Sequence, residues 1–454
     1  MRKLFGTDGI RGVAGEFPLD ADTSFIIGRA LGHHLKRSNG PPKVVLGQDT
    51  RESSAWIADA VTAGLAAASA QVESAGVITT PGIAYLARAR GFAAGVVVSA
   101  SHNPWTDNGI KVFASTGYKL PDAVELAIEQ EIFSLLADVK AASPPEHRAP
   151  FKRSLPGSAS LQRLYVRWLD EHLKSVDLSH LRVVVDCANG AASTLAKEVF
   201  AACGVRSRYL HHTPDGRNIN DHCGALFPQA VAGEVTHNEA DLGVTFDGDA
   251  DRALFADASG NVVNGDAVLL LVARDMKARG ALPGDLVVAT TMSNMGLEAA
   301  LARSGIRMLR APVGDKYVLE EMQKSGAVLG GEQSGHIIFA GDHTTGDGLL
   351  TALRVMEIVV RSGKPLAELV GDLEVFPQII KNVRVREKKP LDQIAAVAHA
   401  IADAERALDG HGRVVVRYSG TEPLARVMVE AKSEQEMQRS AEAICAAIQK
   451  ALGV

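Results

Sequence analysis

The stretch Gly95-Val96-Val97-Val98-Ser99-Ala100-Ser101-His102-Asn103-Pro104 sets the architecture expected of this chain. Its apolar run reads as a buried strand, and Asn103-Pro104 forces the turn that ends it. A hydroxyl delivered at a strand end, on a loop with few contacts to hide it, sits where α/β proteins place reactive groups. The same grammar recurs on both sides. Val44-Val45-Leu46-Gly47 precedes a helical stretch over residues 55–70. Val183-Val184-Val185-Asp186 leads into an Ala-rich helix over 191–202, and Leu286-Val287-Val288-Ala289 into a helix over 296–303. Strand–helix alternation with short turns predicts mixed or parallel α/β sheets, in three similar units that no sequence repeat proves. Beyond residue 370 the pattern changes. Strands at 379–385, 414–416 and 427–430, flanked by helical patterns at 391–408 and 434–452, predict a smaller α+β unit. The Pro-rich polar segment 141–150 reads as a linker or an exposed arm.

At 454 residues the chain exceeds what one core can serve, so three or four domains are expected. A net charge of −5 disfavours a broad nucleic-acid face, while local arginine clusters around a phosphate stay allowed. Four cysteines, Cys187, Cys203, Cys223 and Cys445, match no zinc spacing and give no disulfide framework, so they are expected as free thiols. Neither a signal core nor an apolar run of transmembrane length is present, and the expectation is a soluble, cytoplasmic protein without a membrane partner.

Four segments carry chemistry. Asp247-Gly248-Asp249-Ala250-Asp251-Arg252 lies between two strand-like runs. Three carboxylates so close repel one another unless a cation neutralises them. An EF-hand loop is excluded, because its sixth and twelfth positions hold Arg252 and Ala258. A solvated acidic turn remains the alternative. Ser101 is the candidate nucleophile, with an ordinary turn serine beside Asn-Pro as the alternative; absence of a Gly-x-Ser-x-Gly elbow disfavours acyl transfer. Downstream, Asp107-Asn108-Gly109 reads as a turn, and Lys111 as a strand residue fit for proton transfer or charge stabilisation, or as an edge lysine facing water. In Arg417-Tyr418-Ser419-Gly420-Thr421, hydroxyls, a glycine and free amides make an anion nest, with Arg417 and Arg426 able to fork onto phosphate; a plain hairpin loop is the alternative. In Gly330-Gly331-Glu332-Gln333-Ser334-Gly335-His336, Glu332 and Ser334 would face the same way if the segment is extended and could grip adjacent sugar hydroxyls; a plain glycine-rich turn is the alternative.

In this order the four segments, with Phe5-Gly-Thr-Asp-Gly-Ile-Arg-Gly12, resemble the α-D-phosphohexomutase family over nearly the whole chain. Glu332-Gln333-Ser334, the stretch 214–220 with Cys223-Gly224, and the stretch 312–317 resemble its glucosamine-phosphate branch. Lys316 and Tyr418 depart from that branch's usual residues without removing a needed group. The resemblance implies a four-domain α/β protein: three similar mixed α/β domains at 1–150, 151–255 and 256–370, and a smaller C-terminal α+β domain at 371–454. It implies a phosphoserine at Ser101 and Mg²⁺ held by Asp247, Asp249, Asp251 and a phosphoserine oxygen. The implied reaction interconverts glucosamine 6-phosphate and glucosamine 1-phosphate through a 1,6-bisphosphate, for synthesis of a cell-wall precursor. Arg252 and Arg11 would stabilise the transferring phosphoryl, Lys111 and His336 would shuttle protons, and Arg417, Ser419, Gly420, Thr421 and Arg426 would hold the other phosphate. The expected partner is a small phosphosugar rather than nucleic acid, and the chain is a monomer or homodimer. Glucose- or mannose-phosphate mutase, a metal-dependent phosphatase and a non-catalytic sugar-phosphate binder stay open as alternatives.

Overall fold

The computed structural model describes residues 4–35, 40–141, 157–172, 176–419 and 423–454. The expected linker lies, apart from Ala141, outside these residues, as do Gly420 and Thr421. Contacts divide the chain into two units, Met1–Thr290 with Met308–Gly371, and Thr291–Arg307 with Asp372–Val454.

The first unit is built on three mixed sheets. One holds β1 (Phe5–Gly6), β2 (Gly9–Val13), β3 (Lys43–Gln48), β4 (Gln71–Val77), β5 (Ala94–Val98) and β6 (Asp107–Ala114), in the order β1-β2-β6-β5-β3-β4. The second holds β7 (Arg182–Asp186), β8 (Arg206–Leu210), β9 (Leu242–Phe246), β10 (Ala253–Asp257) and β11 (Val262–Val263), ordered β11-β10-β9-β7-β8. The third holds β12 (Leu286–Thr290), β13 (Arg307–Ala311), β14 (Leu329–Gly331) and β15 (Ile337–Phe339), ordered β13-β12-β14-β15. The strands β6-β5-β3-β4, β10-β9-β7-β8 and β15-β14-β12-β13 follow one pattern. In each, the first strand in sequence pairs in parallel with the third, which pairs antiparallel with the fourth. The three similar units are therefore present as topology. Each reactive segment sits at the same place in its unit, between the third strand and its antiparallel return: Ser101 after β5, the three aspartates after β9, and Glu332–His336 after β14.

The burial explains the sequence of these strands. All five residues of β5 are buried, as are those of β9 and β10, so the runs are near-continuously apolar instead of alternating, with Thr245 in β9 and Asp257 at the end of β10 as the polar exceptions. Gly95 lets the helix Thr80–Ala89 approach, since a Cβ there would meet Ile83 Cγ2 at 2.8 Å. That helix starts where Thr79 caps the Gly82 amide and Pro81 occupies the first turn.

Two expectations are corrected here. Asp107-Asn108-Gly109 is not a turn but the start of β6, paired with β2; Asn108 instead spends its polar side chain on Ser53 and Ser54. Lys111 is on no edge, because β6 lies between β2 and β5.

The second unit has the antiparallel sheet β16 (Gln378–Arg384), β17 (Gly412–Tyr418) and β18 (Leu424–Ala431), ordered β16-β18-β17. The helices Ala395–Leu408 and Glu434–Leu452 pack on it, their buried faces joining Val427 and Val429 in one core. The helical pattern expected from 391 opens with a short 3₁₀ turn, Leu391–Gln393. The helix Met295–Arg303 also belongs to this unit. Its Met295 amide donates to Glu430 at 2.7 Å, and Arg413 donates to the carbonyls of Thr291 and Ser293. No helix among the described residues is long and apolar enough to cross a membrane.

Candidate active site

Ser101 stands at the end of β5 with φ +54°, in the left-handed region that L residues rarely adopt. The surroundings impose that conformation. The Ser101 amide donates to Ser99 Oγ at 3.0 Å, and Ser99 Oγ donates to Asp49 at 2.7 Å. Buried Arg51, paired with Asp49 at 2.8 Å, donates to the carbonyls of Ser101, Asn103, Pro104 and Asp107. From the loop after β8, Asn220 Nδ2 donates to the carbonyls of Ser101 and Asn103 at 2.9 and 3.1 Å. The result is a buried serine whose Oγ donates to Asp247 Oδ2 at 2.5 Å.

The hairpin between β9 and β10 presents Asp247, Asp249 and Asp251 with one oxygen of each within 4.8 Å of the others. Gly248 makes the approach possible, since a Cβ there would stand 2.5 Å from the Ser101 carbonyl oxygen. Burial, with Asp251 and Asp249 close by, pushes the Asp247 carboxyl up to about 8. Burial acts the same way on Asp251, but Lys111 and His336 outweigh it and hold that carboxyl below the usual range. Asp249 Oδ1 and Asp251 Oδ1 are buried without a hydrogen-bond partner. Three converging carboxylates with orphaned oxygens suit a hard divalent cation, and a solvated acidic turn is not what the chain forms.

Lys111 is buried, with Nζ 2.8 Å from both Asp8 and Asp249 and 3.5 Å from Asp251. Burial opposes its charge, but these three carboxylates raise its pKa well beyond the ordinary lysine value. It is a fixed ammonium, suited to charge stabilisation and not to accepting a proton. Arg252 Nε lies 4.0 Å from Asp247 and 3.8 Å from Asp251, and Arg11 pairs with Asp8 at 2.5 Å.

Of the two readings of this segment, the tight turn is the one formed at Glu332–Gly335: the Gly335 amide donates to the Glu332 carbonyl at 3.0 Å, because β14 and β15 pair at once on either side. Glu332 Oε1 accepts the Gly314 amide at 3.1 Å. His336 Nε2 accepts the Gly346 amide at 3.0 Å, which sets the neutral tautomer with Nδ1–H toward Asp251, 3.6 Å away. Burial works against a second proton on His336, but Asp251 raises its pKa to about 9; taking that proton at Nε2 requires the Gly346 amide to turn away. Arg11, Asp251, Arg252, Glu332, Ser334 and His336 together line one cavity of about 550 Å³.

Sequence reasoning passed over several residues at this site. Asp8 gathers Lys111, Lys119 and Arg11. Thr80 donates to Asp249. His102 lines the cavity with Nδ1 3.3 Å from Ser101 Oγ, and burial, aided by Arg252 and Arg11, lowers it to about 4, so it is neutral. Apart from the neighbouring His102 and the Asp8–Arg11 pair three residues apart, these contacts are long-range, reaching 169 residues, and no local pattern announces them.

The remaining candidates lie in the second unit. Arg417 and Arg426 are direct cross-strand partners on β17 and β18, and both line a cavity of about 260 Å³ with Asn382. Like charges placed opposite are unfavourable unless an anion is shared. Ser419 is buried, its carbonyl accepting Lys388 Nζ at 2.6 Å.

Models of the four phosphoglucomutase/phosphomannomutase domains match successive parts of the chain: α/β/α domain I at residues 2–137, domain II at 163–260, domain III at 264–376 and the C-terminal domain at 380–447. The chain belongs to the phosphoglucomutase/phosphomannomutase family. Among its members, phosphoglucosamine mutase of Koribacter versatilis (strain Ellin345) is 61% identical, covering 100% of this chain and 98% of the relative. That of Solibacter usitatus (strain Ellin6076) is 53% identical over 100% and 99%. A crystal structure of a family protein from Burkholderia thailandensis superposes with a TM-score of 0.78 at 26% identity, covering 100% of both chains. Family membership makes this protein an intramolecular phosphotransferase, and the described fold is the family's.

Proposed function

We propose that this protein interconverts glucosamine 6-phosphate and glucosamine 1-phosphate, with Ser101 carrying the transferred phosphoryl group and glucosamine 1,6-bisphosphate as intermediate. The observation that carries this reading is the 2.5 Å bond from Ser101 Oγ to Asp247 within a buried group of three carboxylates, in a chain matched end to end by relatives named phosphoglucosamine mutase. We read the chain as four domains, at 1–150, 151–255, 256–370 and 371–454; four successive family matches and the threefold strand order support that division.

The chemistry is positioning and charge stabilisation. Mg²⁺ held by Asp247, Asp249, Asp251 and an oxygen of phosphorylated Ser101 would make the serine a better leaving group. Arg252 and Arg11 face the cavity and stabilise the charge of the moving phosphoryl. Lys111 balances Asp8, Asp249 and Asp251 as a fixed cation. His336, polarised by Asp251, is placed to take or return a proton of the sugar hydroxyl, while Glu332 and Ser334 orient the ring. Arg417 and Arg426, with Ser419, Gly420 and Thr421, hold the phosphate that does not react.

A coupled assay with glucosamine 6-phosphate, run with and without added 1,6-bisphosphate, tests the reaction; glucose and mannose phosphates run in parallel test the substrate. Turnover of the amino sugar stimulated by bisphosphate is expected, together with one phosphate on a Ser101 peptide by mass. Faster turnover of mannose or glucose phosphate would overturn the substrate, and an unphosphorylated Ser101 in active protein would overturn the mechanism.

A further inference from the structure

The described residues hold a second group of metal-ligating side chains, away from the three aspartates: Asp186, His211 and Cys223. Strands β7 and β8 are parallel neighbours, with Asp186 paired to Leu210, so their ends deliver Asp186 and His211 to one place. The loop running on to Gly224 brings back Cys223. One oxygen, one nitrogen and one sulfur then lie within 4.8 Å of one another. Asp186 and Cys223 are fully buried. His211 Nδ1 is itself buried and lies 3.1 Å from Asp186 Oδ1. Asp186 accepts the Ala188 and Gly224 amides, both at 2.9 Å, one on each oxygen, and each oxygen keeps a second lone pair.

We propose that Asp186, His211 and Cys223 form a binding site for a borderline-soft divalent cation of the zinc type, with solvent as the fourth ligand. One thiolate, one imidazole and one carboxylate are a zinc-type donor set, whereas Mg²⁺ prefers oxygen alone, so this site and the three aspartates select different ions. Cysteine spacing gave no zinc pattern because only one ligand is a cysteine and the others come from two strand ends. The side chain of His211 is 36% exposed although its Nδ1 is buried, so a solvent ligand would reach the ion past this ring. On binding, the Cys223 S–H bond breaks, a sulfur–metal bond forms, and the proton leaves to solvent with no electron transferred. The ion would tie the loop that carries Asn220, three residues before Cys223, to the ends of β7 and β8. Asn220 in turn holds the Ser101 and Asn103 carbonyls, so the clip would steady the serine loop from behind.

The test uses the full chain, stripped with a chelator and titrated with Co²⁺ in excess Mg²⁺, which keeps the oxygen site filled. One equivalent of Co²⁺ is expected to bind with a thiolate-to-cobalt charge-transfer band in the near ultraviolet. Cys223→Ser should abolish that band. His211→Gln alters a partly exposed side chain, tolerable to the fold, and should weaken binding at least tenfold. Absence of the band, its persistence in Cys223→Ser, or wild-type affinity in His211→Gln would each overturn the proposal.

Discussion

Ser101 and Ser99 are two residues apart and hold different jobs. Ser101 presents its hydroxyl to Asp247, while Ser99 spends its own on the Ser101 amide and Asp49. Ser101→Ala should therefore lose mutase turnover by several orders of magnitude, since the proposed relay then has no hydroxyl to carry the phosphoryl group. Ser99→Ala should lose about tenfold, by loosening the loop. Steady-state kinetics of both variants decides, and a reversed order would name the wrong nucleophile. Asp249→Asn removes one charge from the proposed cation site and one of the three carboxylate partners of Lys111. The Mg²⁺ concentration for half-maximal activity should rise at least tenfold, and chelation should silence the wild type. Full activity in excess EDTA would end the metal assignment. In the second unit, Arg417→Ala should raise KM for both glucosamine phosphates about tenfold or more. Lysine at 417 should restore only part of that, lacking the fork. An unchanged KM would leave β17–β18 a plain hairpin.

At the level of elements, one loop position is used three times. A parallel strand followed by its antiparallel return exposes a short connection, and the chain fills it with Ser101, the three aspartates and Glu332–His336. The central strands β3, β5, β7, β9 and β12 were legible, because buried parallel strands read as near-continuous apolar runs, whereas the edge strands β4, β8 and β13 carry polar residues and went unread. The connections were less so. Asp107-Asn108-Gly109 has turn composition, yet pairing with β2 outweighs that preference. Glu332 and Ser334 are alternate residues, yet the two-strand return compresses them into a turn. Close approach between loops is a testable element-scale feature. Gly248→Ala would press a methyl against the Ser101 carbonyl at 2.5 Å and Asn220 at 2.9 Å. It should lower stability by about 1–3 kcal/mol and cut kcat more than KM, because it separates aspartate from serine. Thermal melting and kinetics on the same preparation would show it, and wild-type values in both would refute the close fit.

Across the first unit, His343 links distant parts of the chain. Its Nε2–H donates to the Pro81 carbonyl at 3.1 Å, and its Nδ1 accepts the Thr344 and Thr345 amides. Burial, with Arg88 nearby, lowers its pKa to about 3, so the folded protein keeps the ring neutral. An unfolded histidine titrates near 6.5. Between those values the unfolded chain binds the extra proton, so this group's contribution is complete above about pH 6.5 and drains away as pH falls toward 3. By pH 5 the loss is about 2 kcal/mol. Melting midpoints of the wild type should fall more steeply between pH 7 and 5 than those of His343→Gln. Parallel curves would show that His343 does not carry the acid sensitivity.

The sequence alone determined the strand–helix alternation, the change to a smaller α+β unit, and the residue types able to hold a cation, a phosphate and a nucleophile, because apolar runs and side-chain chemistry are local properties. Tertiary structure decided which of those groups meet. Lys111 could face water or charge until β6 was placed between β2 and β5, above Asp8 and Asp249. Asp8, Thr80 and Arg51 looked like ordinary polar residues, and only packing makes them partners of Lys111, Asp249 and the serine loop. The threefold strand order left no sequence repeat because hydrogen-bonded pairing constrains backbone and burial, and many apolar sequences satisfy both.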